Sequence, residues 1–434
     1  MDKVKTPWCE QGSIRKRQTF CQYKGFLKYR QTKGISDLMI VVLIFAIMLI
    51  LSFPAVQTVH AQIPGVTPGL STISDTTIPE VASQGTIAIE TLNYVFTNVK
   101  ARLDALRLGS ESMKRKKLLG MNEELPPANR YAGPITSIVK EKSVNTDESR
   151  ILDRLGTFVS GTGSFGDKDT TNREAGFDFN TVGAIAGLDY KLTDNVILGT
   201  MFGYNNKDVD FDSSSDSLDI NGYNGSIYGT CFLNNFYLDG IVSFGWDDYD
   251  SKYKVNDSRL KGNPDGTQFA SSMSTGYDFN IGGFTIGPVG RVNYSQVDIE
   301  GHQIKGDSET KLEIDHQDAE SLKSFLGVEA SYAFKVPKSF EKVRLGVVVP
   351  QIRLEWVHEY ENDSRDIDAN FVNISSGTPL RFSTDSPDRD YLNLGLGLSS
   401  VFAGGISAYV YYETPLGLDD VTTHNISGGV RIEF

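Results

Sequence analysis

From Leu155 to the end of the chain, apolar and polar positions alternate with a period of two. Side chains of an extended strand point alternately to its two faces, so this period predicts strands with one apolar and one polar face. In 236–250, Phe236, Leu238, Gly240, Val242, Phe244 and Trp246 share a face opposite Tyr237, Asp239, Ser243 and Asp247. In 284–299, Phe284, Ile286, Pro288, Val292 and Tyr294 oppose Thr285, Arg291, Asn293 and Ser295. In 343–360, Val348, Pro350, Ile352, Leu354 and Trp356 oppose Gln351, Arg353 and Glu355. The last stretch sets Ile426, Gly428, Val430, Ile432 and Phe434 against Asn425, Ser427, Gly429, Arg431 and Glu433. The predicted strands are 155–165, 177–190, 195–208, 217–233, 236–250, 267–281, 284–299, 316–334, 343–360, 390–402, 404–413 and 423–434. Each has at least ten residues, enough to cross a bilayer with tilt and well beyond the five or six usual in soluble sheets.

The gaps between these strands run long, short, long, short. Val209–Asp216, Ser251–Gly266, Glu300–Asp315 and Glu361–Arg389 are long, whereas Lys191–Asp194, Asn234-Asn235 and Gly282-Gly283 are short. An even number of strands with short turns at one end and long loops at the other is the pattern of a transmembrane barrel. Arg291, Arg353, Glu355 and Arg431 fall mid-strand on polar faces, as candidate lumen-facing charges. They would be costly in a dry soluble core and fit a water-filled lumen. The predicted fold is an all-β membrane protein, a twelve-stranded antiparallel transmembrane β-barrel over 155–434.

Upstream the pattern changes. Residues 1–36 are basic and polar, and Leu38–Phe53 is an uninterrupted apolar run closed by Pro54. Val59-His60-Ala61 puts short side chains where a signal peptidase reads. Segment 1–61 therefore reads as a long export signal cleaved after Ala61, with an uncleaved anchor as the alternative. No later apolar run is long enough to span as a helix, so a spanning segment must belong to a closed barrel. Residues 62–79 are rich in Pro, Gly, Thr and Ser and read as flexible. In 80–108 the period becomes helical: Ile89, Leu92, Val95, Phe96, Val99, Leu103 and Leu106 recur every three or four residues. The opposite side carries Asn93, Asn98, Lys100, Arg102, Asp104 and Arg107, and Gly109 is a plausible stop. Residues 109–154 read as a charged linker, and its Lys114–Lys117 cluster as a solvated face rather than a contact for anionic lipid.

Charge and thiols narrow the function. The chain has 42 Lys/Arg and 55 Asp/Glu; without the nine and three of segment 1–61, 33 and 52 remain, a net charge of −19. So acidic a chain excludes nucleic acid as a partner. Cys9 and Cys21 lie in the signal and Cys231 stands alone, which excludes a disulfide scaffold and a cysteine zinc site. Gly161, Gly163 and Gly166 form a G-x-G-x-x-G, but no helix or βαβ unit follows, so a nucleotide site is not supported. No G-x-S-x-G elbow occurs in the strands. His302, His316, His358 and His424 are scattered, without metal-ligand spacing. Asp208, Asp210, Asp212 and Asp216 lack the glycine and closing Glu of a calcium loop and read as a solvated loop. No cofactor, metal or enzymatic activity is expected.

Several segments together resemble the translocator domain of type V autotransporters. They include Phe96-Thr97-Asn98-Val99 with Arg102-Leu103, Gly163–Lys168, and Gly187-Leu188-Asp189-Tyr190 with Leu192–Asn195. Further on come Tyr237-Leu238-Asp239-Gly240, Gly276-Tyr277-Asp278-Phe279, Arg353-Leu354-Glu355-Trp356 and the final Phe434. The resemblance covers about 80–434. It implies an α-helix threading or plugging the lumen, with Asn93, Asn98, Arg102 and Arg107 as lumen residues. It also implies a barrel-insertion signal in Val430, Ile432 and Phe434, read by barrel-assembly machinery after delivery by periplasmic chaperones. The implied place is the bacterial outer membrane, in contact with its lipid and with the loops at the cell surface. The implied function is a translocator. About twenty residues between Ala61 and the helix are too few for a folded passenger, so a vestigial or missing passenger is expected. The alternatives are a pore or channel gated by the helix, or an adhesive barrel whose loop 361–389, with Phe371 and Phe382, binds a surface ligand. Some members of that family cut their helix inside the pore; Asn93 and Asn98 are candidate positions for it, with no barrel acid aligned to them and no catalyst named.

Overall fold

The computed structural model describes residues 71–118, 154–212, 215–255, 258–306, 311–335, 345–372, 380–402 and 406–433. The export signal, residues 119–153 of the expected linker and the terminal Phe434 lie outside the described residues.

Among the described residues, one helix precedes the sheet: α1, Ser71–Leu118. The twelve long strands are β1 Leu155–Lys168, β2 Phe177–Lys191, β3 Val196–Phe211, β4 Ser217–Leu233, β5 Phe236–Val255 and β6 Asp265–Tyr277, then β7 Phe284–Ile299, β8 Gln317–Tyr332, β9 Leu345–Glu359, β10 Asp390–Phe402, β11 Ile406–Leu416 and β12 Val421–Glu433. Each pairs antiparallel with its sequence neighbours, and β1 pairs with β12 from Gly156↔Glu433 to Lys168↔Val421. The sheet is thus a closed twelve-stranded barrel without a free edge. Closure pairs every ladder hydrogen bond, which is what the hydrocarbon of a bilayer demands.

The alternation seen in the sequence becomes inside and outside. Val182, Phe202, Ile227, Val242, Met273, Val292, Leu326, Ile352 and Val430 are exposed on the outer surface. Their inward neighbours Thr181, Ser226, Ser243, Ser272, Arg291, Gln351 and Arg353 are buried. Aromatic pairs such as Tyr204–Tyr223 towards the long-loop end and Tyr277–Phe279 towards the short-turn end border this apolar belt. The tight turns use left-handed backbone at Asn234 (φ 58°) and Gly282 (φ 64°), positions that Asn and Gly tolerate best.

Two expectations need correction. Helix α1 begins at Ser71 rather than residue 80 and runs through Gly109 to Leu118. Gly109 costs only about 1 kcal/mol inside a helix, and the Lys-, Leu- and Met-containing segment after it favours helix, so it does not act as a stop. The long gaps are also not wholly irregular. Short strands at Ser258–Gly262, His302–Gly306, Leu312–Ile314, Asp366–Phe371 and Leu380–Ser383 pair in that order beyond the barrel's long-loop end. They form a cap with its own small core of Tyr253, Leu260, Ile304, Leu312, Ile314, Ile367 and Ala369. Val81 of the helix belongs to the same cluster. Among the described residues, no helix is long and apolar enough to cross a membrane.

Candidate functional site: a helix held in a charged lumen

Helix α1 fills the barrel. From Glu80 to Arg107 nearly all of its described side chains are buried. Its apolar face sets Ile87, Leu92, Val95, Phe96 and Val99 in one cluster with Phe177, Phe179, Ile185, Met201, Val209 and Ile220 of the wall. Such burial is non-directional and scales with apolar area, so it favours a filled lumen without fixing the depth of the helix.

Polar contacts fix that depth and the direction. At the long-loop end, the Ala175 N–H donates to the Pro79 carbonyl at 3.2 Å. The Ser83 hydroxyl donates to the Ala175 carbonyl at 3.1 Å. The Gln84 amide donates to Ser251 and Tyr253 at 3.2 and 3.0 Å. One layer deeper, the Lys207 ammonium donates to the Ile87 carbonyl at 3.0 Å. Thus the amino-terminal side of the described helix sits under the long loops.

The other half of the helix carries the charge. Lys100 lies 3.1 Å from Glu413 and 3.6 Å from Glu355. Arg291 reaches Glu355 at 3.1 Å, and Asn393 donates to both Glu355 and Glu413 at 3.0 Å. Arg102 is ion-paired with Asp189, which also takes Arg431 at 2.7 Å. Asp104 pairs with Arg353 at 2.8 Å and with Arg107. Arg353 also pairs with Glu329, and the Arg107 guanidinium stacks 3.7 Å from the centre of the Tyr237 ring. Most of these charges are buried, and a buried charge is tolerated only where it is paired.

Of these charges, Arg291, Arg353 and Glu355 are buried, and the half-buried Arg431 pairs with Asp189. The picture of a water-filled lumen at these positions is corrected, because Arg291, Arg353 and Glu355 are at most 6% exposed. Arg102 and Arg107 are in the same network. Asn98 accepts from Thr162 on β1, and Asn93 donates to Glu90 of its own helix at 3.0 Å. Val430 and Ile432 face outward. Sequence reasoning missed Asp189, Glu413 and Glu329; the first lies in the quoted Gly187–Tyr190 segment, and all three share inward parity with polar neighbours.

Above the lumen, residues of the β1–β2 and β9–β10 loops close round the helix. Lys168 lies 2.9 Å from Asp385 and 3.4 Å from Glu174. Burial pushes the Glu174 carboxyl pKa up; nearby Asp385 adds to the rise and Lys168 opposes it. On the outer surface, His316 bridges Asp298 and Asp318 at 3.3 Å through its two ring nitrogens, a grouping the scattered histidines of the sequence did not suggest. Asp298 and Asp318 lie directly opposite on β7 and β8, where the imidazole lies between two like charges.

A closed barrel with an apolar outer belt, a charged lumen and a helix threaded through it is the architecture of an outer-membrane translocator. The chain matches the family model described as autotransporter beta-domain over residues 157–413 and belongs to that family. Its fold matches the translocator domain of the autotransporter NalP from Neisseria meningitidis, with a TM-score of 0.52 at 13% identity over 77% of this chain and 99% of that one. It is 25% identical over 288 residues to the protein named Esterase EstA of Pseudomonas aeruginosa, 64% of this chain and 42% of the relative. It is 23% identical over 378 residues to Outer membrane protein B of Rickettsia prowazekii, 83% of this chain and 21% of the relative. The chain thus spans less than half the length of these relatives. It is a translocator barrel of the bacterial outer membrane, in contact with that membrane's lipid.

Proposed function

We propose that this barrel holds its helix as a resident plug, with the segment before Ser71 delivered to the cell surface and the segment after Leu118 on the periplasmic side. The carrying observation is the direction of α1. Pro79, Ser83 and Gln84 bond at the long-loop end, whereas Arg107 stacks on Tyr237 next to the Asn234 turn. Long loops face outward in barrels of this kind, so the amino-terminal side is the external one. A charged network that fits this helix supports a plug over an open channel. The reading is non-enzymatic; the esterase name belongs to a relative of which this chain matches under half. Segment 1–61 acts as the export signal. Val430, Ile432 and Phe434 act as the insertion signal read by barrel-assembly machinery, after escort by periplasmic chaperones.

The test is an epitope placed just after Gln62 in intact cells. Antibody or external protease should reach it. If it is reached only after the outer membrane is opened, the helix has not delivered its amino-terminal side outward, and the translocator orientation is wrong.

A further inference from the structure

We propose that Gly85 and Arg365 form a seat and a bolt: the guanidinium of the outer loop after β9 lies on the bare backbone of the helix and locks the cap over the pore mouth. This rests on the orientation argued above, with residues 79–86 at the external end.

Glycine in a helix interior is unfavourable relative to alanine, so one that is buried under the cap calls for a reason. At Gly85 the reason is a close approach. A Cβ built there would collide with both terminal nitrogens and the central carbon of the Arg365 guanidinium. No other residue type leaves that space. Arg365 is held in place by its own loop and by β8: its backbone N–H donates to Thr384 Oγ1 at 2.9 Å, and its Nη1 donates to the Asp318 carbonyl at 3.3 Å. The Thr384 N–H returns a bond to the Arg365 carbonyl at 2.8 Å. The planar guanidinium of arginine suits such a flat position against bare backbone better than the ammonium of lysine would.

The bolt is tied to the next loop as well. Asp385, next to Thr384, donates its N–H to Glu174 at 3.1 Å and takes Lys168 at 2.9 Å and the Thr171 hydroxyl at 2.7 Å. Arg173 donates to the Thr384 carbonyl at 3.1 Å. Thr86, the residue after the seat, donates to Glu174 at 3.4 Å. Two loops and the helix therefore meet around one turn of α1. Arg365 and Gly85 act as positioning residues: they set how deep the helix sits and hold the cap shut. Passage of any other chain requires the bolt to withdraw.

The test uses the full chain in a Cys231→Ser background, with Ala82→Cys as a probe under the cap and Ala101→Cys as a probe deep in the lumen. A membrane-impermeant maleimide is added to intact cells, and folding is checked by the heat-modifiable barrel band. Arg365→Ala and Gly85→Leu should each speed labelling at Ala82→Cys about tenfold, with Ala101→Cys protected. Gly85→Ala should speed it in the parent but add nothing when combined with Arg365→Ala, since the two act on one contact. Unchanged labelling in Arg365→Ala overturns the proposal. So do independent effects of Gly85→Ala and Arg365→Ala, or exposure of Ala101→Cys, because both describe general loosening. Should Gly85→Leu fail to give the folded band, Arg365→Gln leaves the helix untouched and carries the same prediction. Labelling of Ala82→Cys that rises only in cells with an opened outer membrane supports the bolt while contradicting the external orientation.

Discussion

The two halves of the lumen hold one helix by different means. Towards the long loops, Ile87, Leu92, Val95 and Phe96 press into an aromatic and aliphatic wall, with hydrogen bonds from Ser83 and Gln84. Towards the short turns, Lys100, Arg102, Asp104 and Arg107 meet Glu413, Glu355, Asp189, Glu329 and Arg353. An apolar contact tolerates sliding, because one methyl group serves nearly as well as the next. A buried ion pair does not, because a shift of one residue strands a charge. The upper half supplies attraction and the lower half supplies register and direction. The same division explains why the helix can be strongly held and still belong to one depth.

Removing single partners separates the two halves. The largest effect is expected at Asp189, which serves Arg102 and Arg431 together. Asp189→Ala leaves the buried Arg102 guanidinium without its carboxylate and Arg431 with Glu433 alone, and should cost about 3–5 kcal/mol, read as a lower urea midpoint of the folded barrel. Leu92→Ala, in the apolar half, should cost about 2–4 kcal/mol through the cavity it leaves, but should not alter the depth of the helix measured by cross-linking. Thr162→Val removes the bond to Asn98 and should cost about 1 kcal/mol. A comparable loss from Lys191→Ala would undo the contrast between buried and surface pairs. Its partner Asp194 sits in an exposed turn, and the expected change is within about 0.5 kcal/mol.

The smallest effect is a pH dependence of the cap. Glu174 has a folded-state pKa above its ordinary value, so the folded state binds its proton more tightly than the unfolded one. Its contribution to closure therefore grows as pH falls through the raised pKa and is lost as pH rises above it. Glu174→Gln should flatten that dependence, measured as protection of Ala82→Cys across mildly acidic to neutral pH.

Much of this was legible in the sequence because lipid and lumen select opposite residues at alternate positions. That contrast writes the strand boundaries into 236–250 and 284–299, and it puts Arg291, Arg353 and Glu355 on the inner face. Their partners were not legible. Arg102 and Asp189 are 87 positions apart, and Asp104 and Arg353 are 249 apart, so only closure of the barrel brings them together. The extent of α1 was misjudged for a local reason: Gly109 and Pro79 carry helix-breaking signals. The helix nevertheless runs through Pro79, whose carbonyl takes the Ala175 N–H and the Ser83 hydroxyl. The cap strands are three to six residues long in charged gaps, too short for their period to stand out. Gly85, read from sequence, was one more small residue; its meaning depends on Arg365, far away in the chain.

The central claim is that the helix is a plug seated in the barrel, and single-channel conductance in planar bilayers tests it most directly. The full chain should show little current, and a variant lacking 71–107 that still gives the heat-modifiable folded band should open a large, stable pore. Equal conductance of the two would mean that the helix does not occupy the lumen of the folded protein, and the account would fail.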